Sequence, residues 1–224
     1  MHRDTFKEFK RKRVLILGLG LHGGGAGAAS FFARAGAVVT VTDLKSKAEL
    51  APTIKALKRF SNISYVLGRH RSQDIVNADF IVKNPGVTDD SPWLKIARAH
   101  CIPVLSDIEV FFKFSPAQII GITGTKGKST TAQLLAEILR SGGKKRGKKR
   151  VWLAGNIRKS ALAILPKIHR GDIVVLELSS FQLDSLASSK MSPHIAMVTN
   201  IFPDHLNRYR NFRHYANSKA MIFR

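Results

Sequence analysis

A chain of 224 residues with one cysteine, Cys101, has no pair from which to build an internal disulfide. That scarcity points to a reducing compartment, and with no partner signature around it the thiol is expected in the core. Also missing is any apolar run approaching the roughly 18 residues of a membrane helix, and the opening MHRDTFKEFKRKR is too charged for a signal peptide. A cytoplasmic protein without a membrane partner is the expectation. Acidic residues are scarce too: 15 Asp and Glu stand against 37 Lys and Arg, leaving a net charge of +22. Such an excess raises nucleic acid as a partner, because a basic surface gathers phosphate polyanions on any fold.

The basic residues are spread along the chain except at positions 10 to 13 and in GGKKRGKKR, positions 142 to 150. The second cluster follows a helix that Gly142 is expected to end, where cations suit the helix dipole. No aromatics interleave with it, so a solvated basic loop is the reading and a nucleic-acid contact the alternative. A hydrophobic content of 44% is ample for one large domain or two modest ones, and no internal repeat is visible.

The stretch around which the rest is organised is GITGTKGKSTT, Gly121 to Thr131. Ala117 to Ile120 reads as a short buried strand before it, and Thr131, Leu134, Leu135, Ile138 and Leu139 recur at helical spacing after it. A glycine-rich turn between strand and helix aims backbone N–H groups and a positive helix end at one point. Lys128 adds a charge and Ser129 a hydroxyl for Mg²⁺, so Gly124, Thr125, Lys126, Gly127, Lys128, Ser129 and Thr130 are candidates for holding a nucleoside triphosphate. The fit to G-x-x-x-x-G-K-[ST] is imperfect, since Ile122 stands where the first glycine belongs.

Upstream, the apolar strand Val14 to Leu17 runs into Gly18-Leu19-Gly20-Leu21-His22-Gly23, a G-x-G-x-x-G turn. A small-residue helix to Ala35 and a β-branched strand from Val38 follow, with Asp43 where a dinucleotide fold places its ribose acid. The geometry suits any ligand with a diphosphate and a ribose. Further βα alternation is expected: helices over 48–59 and 92–100, strands over 64–67, 80–82 and 102–105. Asn84-Pro85-Gly86 falls at a strand's carboxyl end, where an open parallel sheet binds ligands, although a plain turn reads equally well. Positions 106–116 read as a short helix and linker, putting the boundary between domains 1–113 and 114–224.

In the second half, IVVLEL from Ile173 carries Glu177 as its lone charge. A carboxylate in a central strand needs a partner, either a metal near the phosphate loop or a structural ion pair. Strand 194–198 precedes Thr199-Asn200 and Asp204-His205-Leu206, a place for a nucleotide's metals. A final helix over 211–223 puts Phe212, Tyr215, Ala216 and Phe223 on one face together with Lys219. That lysine either snorkels to solvent or is desolvated, and a desolvated amine could form a metal-binding carbamate with CO₂.

These motifs, with Gly155-Asn156-Ile157, Leu176-Glu-Leu-Ser-Ser-Phe-Gln-Leu183 and Tyr215 to Lys219, resemble the Mur ligases over nearly the whole chain, and ELSSFQL is similar to the D-glutamate-adding branch. The resemblance implies an α/β protein: a Rossmann-like N-terminal domain that holds UDP rather than NAD, then an incomplete P-loop-type ATPase domain with a mostly parallel sheet. It implies that ATP phosphorylates the carboxylate of UDP-N-acetylmuramoyl-L-alanine and that the amine of D-glutamate attacks the acyl phosphate. Catalytic roles fall on Lys128, Glu177, His205 and Lys219, with Ser129 and Glu177 serving one Mg²⁺ and His205 and carbamoylated Lys219 a second. Gly20, Leu21, His22, Asp43, Lys45, Asn84, Pro85, Gly86, Asn156, Ser179 and Gln182 would face the UDP-linked substrate.

His22, Lys45 and Asn207 depart from residues common in that family, and the 142–150 stretch looks like an insertion. The chain stops at Arg224, about half of the family's length, so it is expected not to turn over without a complementing C-terminal chain. The rivals are another Mur or folylpolyglutamate-type ligase, a NAD(P)-binding Rossmann protein and a charge-driven nucleic-acid binder.

Overall fold

The computed structural model describes every residue except 1, 22, 144–148 and 158–159, and for 2–5 and 143 the backbone only. His22 and most of the basic stretch therefore lie outside the described residues. The chain divides into two compact units, Met1–Val110 and Phe111–Arg224.

In the first unit the order is α1 (His2–Phe9), β1 (Arg13–Leu17), α2 (Gly24–Arg34), β2 (Val38–Asp43), α3 (Ala51–Leu57), β3 (Ile63–Leu67), α4 (Ser72–Val76), β4 (Phe80–Lys83), α5 (Pro92–Ala99) and β5 (Val104–Ser106). The strands form a parallel sheet in the order β3-β2-β1-β4-β5. Because β1 is covered on both faces, Val14 to Leu17 are all apolar and buried rather than alternating. The order reverses between β1, whose chain continues to β2, and β4 on its other side, which opens a crevice beyond their carboxyl ends. Phe32 of α2 meets Phe9 and Phe80 edge to face at 5.0 and 5.3 Å, so an aromatic cluster fixes α1 and α2 to the sheet.

Cys101 departs from expectation. It is exposed, with φ of +54° just past α5, because the apolar face of that helix is completed by Leu94 and Ala97 and the chain turns at Cys101 to enter β5.

Helix α6 (Asp107–Phe114) leads on to the second unit: β6 (Gln118–Thr123), α7 (Lys128–Gly143), β7 (Val151–Gly155), α8 (Ala161–Ile164), β8 (Ile173–Glu177), α9 (Ser180–Ser188), β9 (Ile195–Val198) and α10 (Phe212–Ala220). Its parallel sheet runs β7-β8-β6-β9, so β6 and its loop lie between strands reached in opposite directions. Ala132 and Ala136 of α7 pack on Ile122 and Val175, small residues that let the helix approach the sheet. The buried face of α10 is Tyr215, Ser218 and Lys219, continued by Ile222; Phe212 and Phe223, expected on that face, are exposed. The last turn tightens to a 3-10 helix over Met221–Phe223, which rotates Phe223 off the α-helical stripe.

Candidate nucleotide sites

In the second unit the loop after β6 is shaped by what packs against it. Gly124 has φ of +149°, and a Cβ there would lie 2.0 Å from Thr199 Oγ1, so only glycine lets the end of β9 approach this closely. Thr199 and Asn200 use that proximity. Asn200 accepts from Thr125 N through its carbonyl and from Lys126 N through Oδ1, both at 2.9 Å, and its Nδ2 donates to Lys126 O at 3.0 Å. Thr199 Oγ1 donates to the same carbonyl at 2.7 Å. The loop is thereby held open by side chains from a different strand. Nothing in a Thr-Asn dipeptide announces a contact about 75 residues away.

Lys128 opens α7 and donates from Nζ to Thr125 O at 2.8 Å, which lays its ammonium over the loop. Ser129 Oγ donates to Glu177 Oε2 at 2.5 Å. Glu177 is 2% exposed at the end of β8, and its second oxygen accepts from Asn156 Nδ2 at 3.0 Å. The buried carboxylate thus accepts from two neutral donors, and among the described residues no ion pair engages it.

Lys219 does not snorkel: it is 2% exposed, its Nζ lies 4.8 Å from the centre of the Tyr215 ring, and it is within 3.5 Å of Thr123 Oγ1. Burial, helped by the nearby Lys128 charge, lowers its pKa to about 8, while Asp204, Asp184 and Glu177 pull the other way. Lys128, Glu177 and Lys219 therefore share one electrostatic neighbourhood. His205 stands at its rim, exposed and at φ of +52°, its ring against Phe181 (5.1 Å) and Tyr215 (6.1 Å) and 3.8 Å from Asp204. Tyr215, whose hydroxyl is 3.1 Å from Thr125 Oγ1, links the loop, His205 and Lys219. The helical stripe had placed Tyr215 beside Lys219 but given no sign of the loop contact.

Ser179 and Gln182 cap α9: Gln182 N donates to Ser179 Oγ at 3.2 Å, and Ser179 N to Gln182 Oε1 at 3.0 Å. S-x-x-Q at a strand's end is the sequence signature of this reciprocal cap.

In the first unit the carboxyl ends of β1, β2 and β4 bring together Gly20, Asp43, Lys45 and Asn84 to Gly86. Asp43 Oδ2 accepts from Leu19 N at 2.8 Å and Gly20 N at 3.0 Å, and Oδ1 from Lys45 N at 2.9 Å, so the acid's first role is to hold the glycine turn. Gly25 is close-packed for the same purpose: a Cβ would meet Leu19 O at 2.3 Å. Asn84 Oδ1 accepts from Gly86 N at 3.0 Å, which locks the turn around Pro85. Leu21 and the Lys45 side chain are exposed beside this turn. Thr42 Oγ1, within 2.6 Å of His70 Nδ1, adds a histidine that sequence spacing did not indicate.

Fold and site together define a two-domain nucleotide-binding α/β protein, Rossmann-like in its first unit and of P-loop type in its second. The chain belongs to the Mur ligases: residues 12–106 match the family "Mur ligase MurD-like, N-terminal domain" and residues 122–224 the "Mur ligase middle domain". It is 45% identical over 213 residues to the UDP-N-acetylmuramoylalanine–D-glutamate ligase of Roseiflexus sp. (strain RS-1), covering 95% of this chain and 44% of that one. With the ligase of the same name from Borreliella burgdorferi (strain ZS7) it is 43% identical over 217 residues, covering 96% and 46%. The chain spans about half the length of the curated relatives it matches. Its fold is shared with UDP-N-acetylmuramate:L-alanyl-gamma-D-glutamyl-meso-diaminopimelate ligase from Neisseria meningitides, at a TM-score of 0.63 and 19% identity over 94% of this chain and 67% of that one. No helix among the described residues is long and apolar enough to cross a membrane.

Proposed function

We propose that this chain carries the UDP-substrate and ATP domains of the ligase that adds D-glutamate to UDP-N-acetylmuramoyl-L-alanine in peptidoglycan synthesis. The observation that carries the reading is the cluster at the carboxyl ends of β6, β8 and β9, where the phosphate loop, the Ser129–Glu177–Asn156 group and the buried Lys219 adjoin. In this reading Gly124 to Thr130 hold the phosphates of ATP through backbone N–H groups, and the Lys128 ammonium swings from Thr125 O to the transferring phosphoryl group. A substrate carboxylate positioned between the loop and Lys219 attacks the γ-phosphorus and displaces ADP; the amine of D-glutamate then attacks the acyl carbon, forming the amide, expelling inorganic phosphate and losing a proton. Positioning and charge neutralisation are most of what this transfer requires.

The pair of hydroxyl and carboxylate at Ser129 and Glu177 fits Mg²⁺, a hard cation that takes few protein ligands beside phosphate oxygens and water. Bound there, it would neutralise charge on the phosphates. A second Mg²⁺ would be held by His205 and a carbamoylated Lys219. A lysine cannot ligate as an ammonium. Its lowered pKa leaves free amine near neutrality; attack of Nζ on CO₂ with loss of one proton gives a carbamate of the required charge. Asp43, Lys45, Gly20, Leu21, His22 and Asn84 to Gly86 are assigned to the UDP end, and Asn156, Ser179 and Gln182 to the muramoyl-alanine part, the last two chiefly through the helix start they cap.

Calorimetric titration tests the assignment. UDP-N-acetylmuramoyl-L-alanine is expected to bind and NADH not to; binding of NADH alone would replace the reading with a dinucleotide-binding one.

A further inference from the structure

Beneath the glycine turn of the first unit lies a small, partly open cavity of about 10 Å³, bordered by Gly18, Gly24, Gly25, Asn84, Pro85 and Asp107. Asp107 begins α6, is buried, and its Oδ1 has no hydrogen-bond partner. Its Oδ2 lies 3.6 Å from where a Cβ of Gly24 would stand, at the first residue of α2. An orphaned carboxyl oxygen in a cavity is unusual, because an unpaired buried acceptor costs roughly 1–3 kcal/mol. Nothing in the proposed chemistry employs it.

The charged groups around it are few. On its own helix Glu109 repels a second negative charge, and its carboxylate is engaged by Ser106 N and Oγ at 2.6 and 2.7 Å. From β4, Lys83 lines the cavity with its ammonium paired to Asp89. From β1, the turn after it and α2, the described residues that face it are Ile16, Gly18, Gly24, Gly25 and Ala28, none of them charged. Burial above all, with Glu109 adding to it and the N–H groups of Ile108 and Asp107 opposing, raises the Asp107 pKa to about 6.

We propose that Asp107 takes up a proton when a diphosphate ester settles on the start of α2, and releases it when the ester leaves. The positive end of α2 would otherwise be shared by a carboxylate and an incoming dianion, and like charges in one low-dielectric site cannot both stay ionised. Protonation turns the acid into a donor that can satisfy itself within the cavity. The inference rests on the reading of this crevice as a nucleoside-diphosphate site and adds a coupled proton to it. The sign follows. At neutral pH the free acid is mostly ionised, so binding must draw a proton from solution, and affinity falls as pH rises above 6.

UDP-N-acetylglucosamine is the probe, because neither of its phosphates titrates near neutrality. Calorimetry at pH 7 in buffers of different ionisation enthalpy is expected to give an uptake of about half a proton or more per ligand, and the Kd to weaken about tenfold from pH 6 to pH 8. Asp107→Asn is expected to bind with no uptake, whereas His70→Gln, which removes a histidine of the same crevice beside Thr42, keeps it. Binding without proton uptake in the wild-type chain, or equal uptake in Asp107→Asn, overturns the proposal alone. Failure of the UDP-sugar to bind at any pH from 6 to 8 overturns the diphosphate reading and this inference with it. Should Asp107→Asn not fold, the wild-type proton count carries the test.

Discussion

The two glycine-rich turns of this chain have the same local ingredients and opposite surroundings. Both follow a buried parallel strand, and both lead into a helix. The first, at Gly18 to Gly23, has a carboxylate, Asp43, gripping its N–H groups, and no lysine in the turn. The second, at Gly124 to Gly127, is gripped by the neutral Asn200 and Thr199, and the charge in and beside it is Lys126, Lys128, Lys219 and a carboxylate bonded to a serine. A turn braced by an acid suits a ligand recognised by shape and hydrogen bonds and left unchanged. A turn braced by neutral groups, with cations adjoining, suits a phosphoryl group whose charge moves during reaction. The difference teaches that a phosphate loop's function is set by its braces more than by its glycines.

The comparison is broken most severely at Lys128 and Glu177. Lys128→Ala is expected to lower acyl-phosphate formation by about a thousandfold in any assembly competent for turnover, with UDP-sugar affinity unchanged. Glu177→Ala should act similarly, and isotope exchange between ADP and ATP reads both; equal loss of UDP-sugar binding would mean that the two functions do not divide between the two turns.

Next comes Gly124→Ala. The methyl would collide with Thr199 at a backbone angle few side chains adopt, which predicts a loss of about 2–3 kcal/mol confined to the second unit. Trp93 and Trp152, one in each unit, report the units separately in urea melts of single-tryptophan variants. The mirror experiment is Asp43→Ala, which strips three N–H groups of their acceptor and should cost the first unit about 2 kcal/mol while sparing the second.

The smallest effect sharpens the contrast in charge. Lys219 has its folded pKa lowered to about 8, below the value near 10.5 of an unfolded chain, so the unfolded state binds more protons between those limits. Stability of the second unit should then rise from pH 8 to 10.5 by an amount on the order of 2 kcal/mol relative to Lys219→Met, read by urea denaturation. A variant with the same pH profile as wild type would mean that the ammonium is not held at the cost its burial implies.

Much of this frame was legible from residues alone. The strands around both turns were found within a few residues, because β-branched runs bounded by glycine and polar turns leave few alternatives. The helices α1, α4, α8 and α9 are not legible in the sequence: α1 is a charged opening segment, α4 and α8 are too short for a periodic signal, and α9 begins with a cap whose Ser179 and Gln182 read as ligand groups instead. Cys101 was misplaced because a lone thiol follows burial statistics until a turn at positive φ carries it outward. The face of α10 differs from the expected stripe at Phe223, since a stripe drawn on a regular helix ignores the 3-10 tightening over its last turn, and at Phe212, which opens the helix and is exposed.

By itself the sequence determined the two parallel sheets, the two glycine turns and the family, because these rest on local patterns: buried β-branched strands, tight turns and helix starts that any chain context would honour. Tertiary structure alone decided that Glu177 is met by Ser129 and Asn156 rather than by a cation, that Lys219 is desolvated beside Tyr215, and that Asp107 keeps an unpaired oxygen under the first turn. The reason is physical. Burial and partnering depend on residues dozens of positions apart being brought within a few ångströms, and side-chain type states only what a group could bond to, not what packing leaves within its reach.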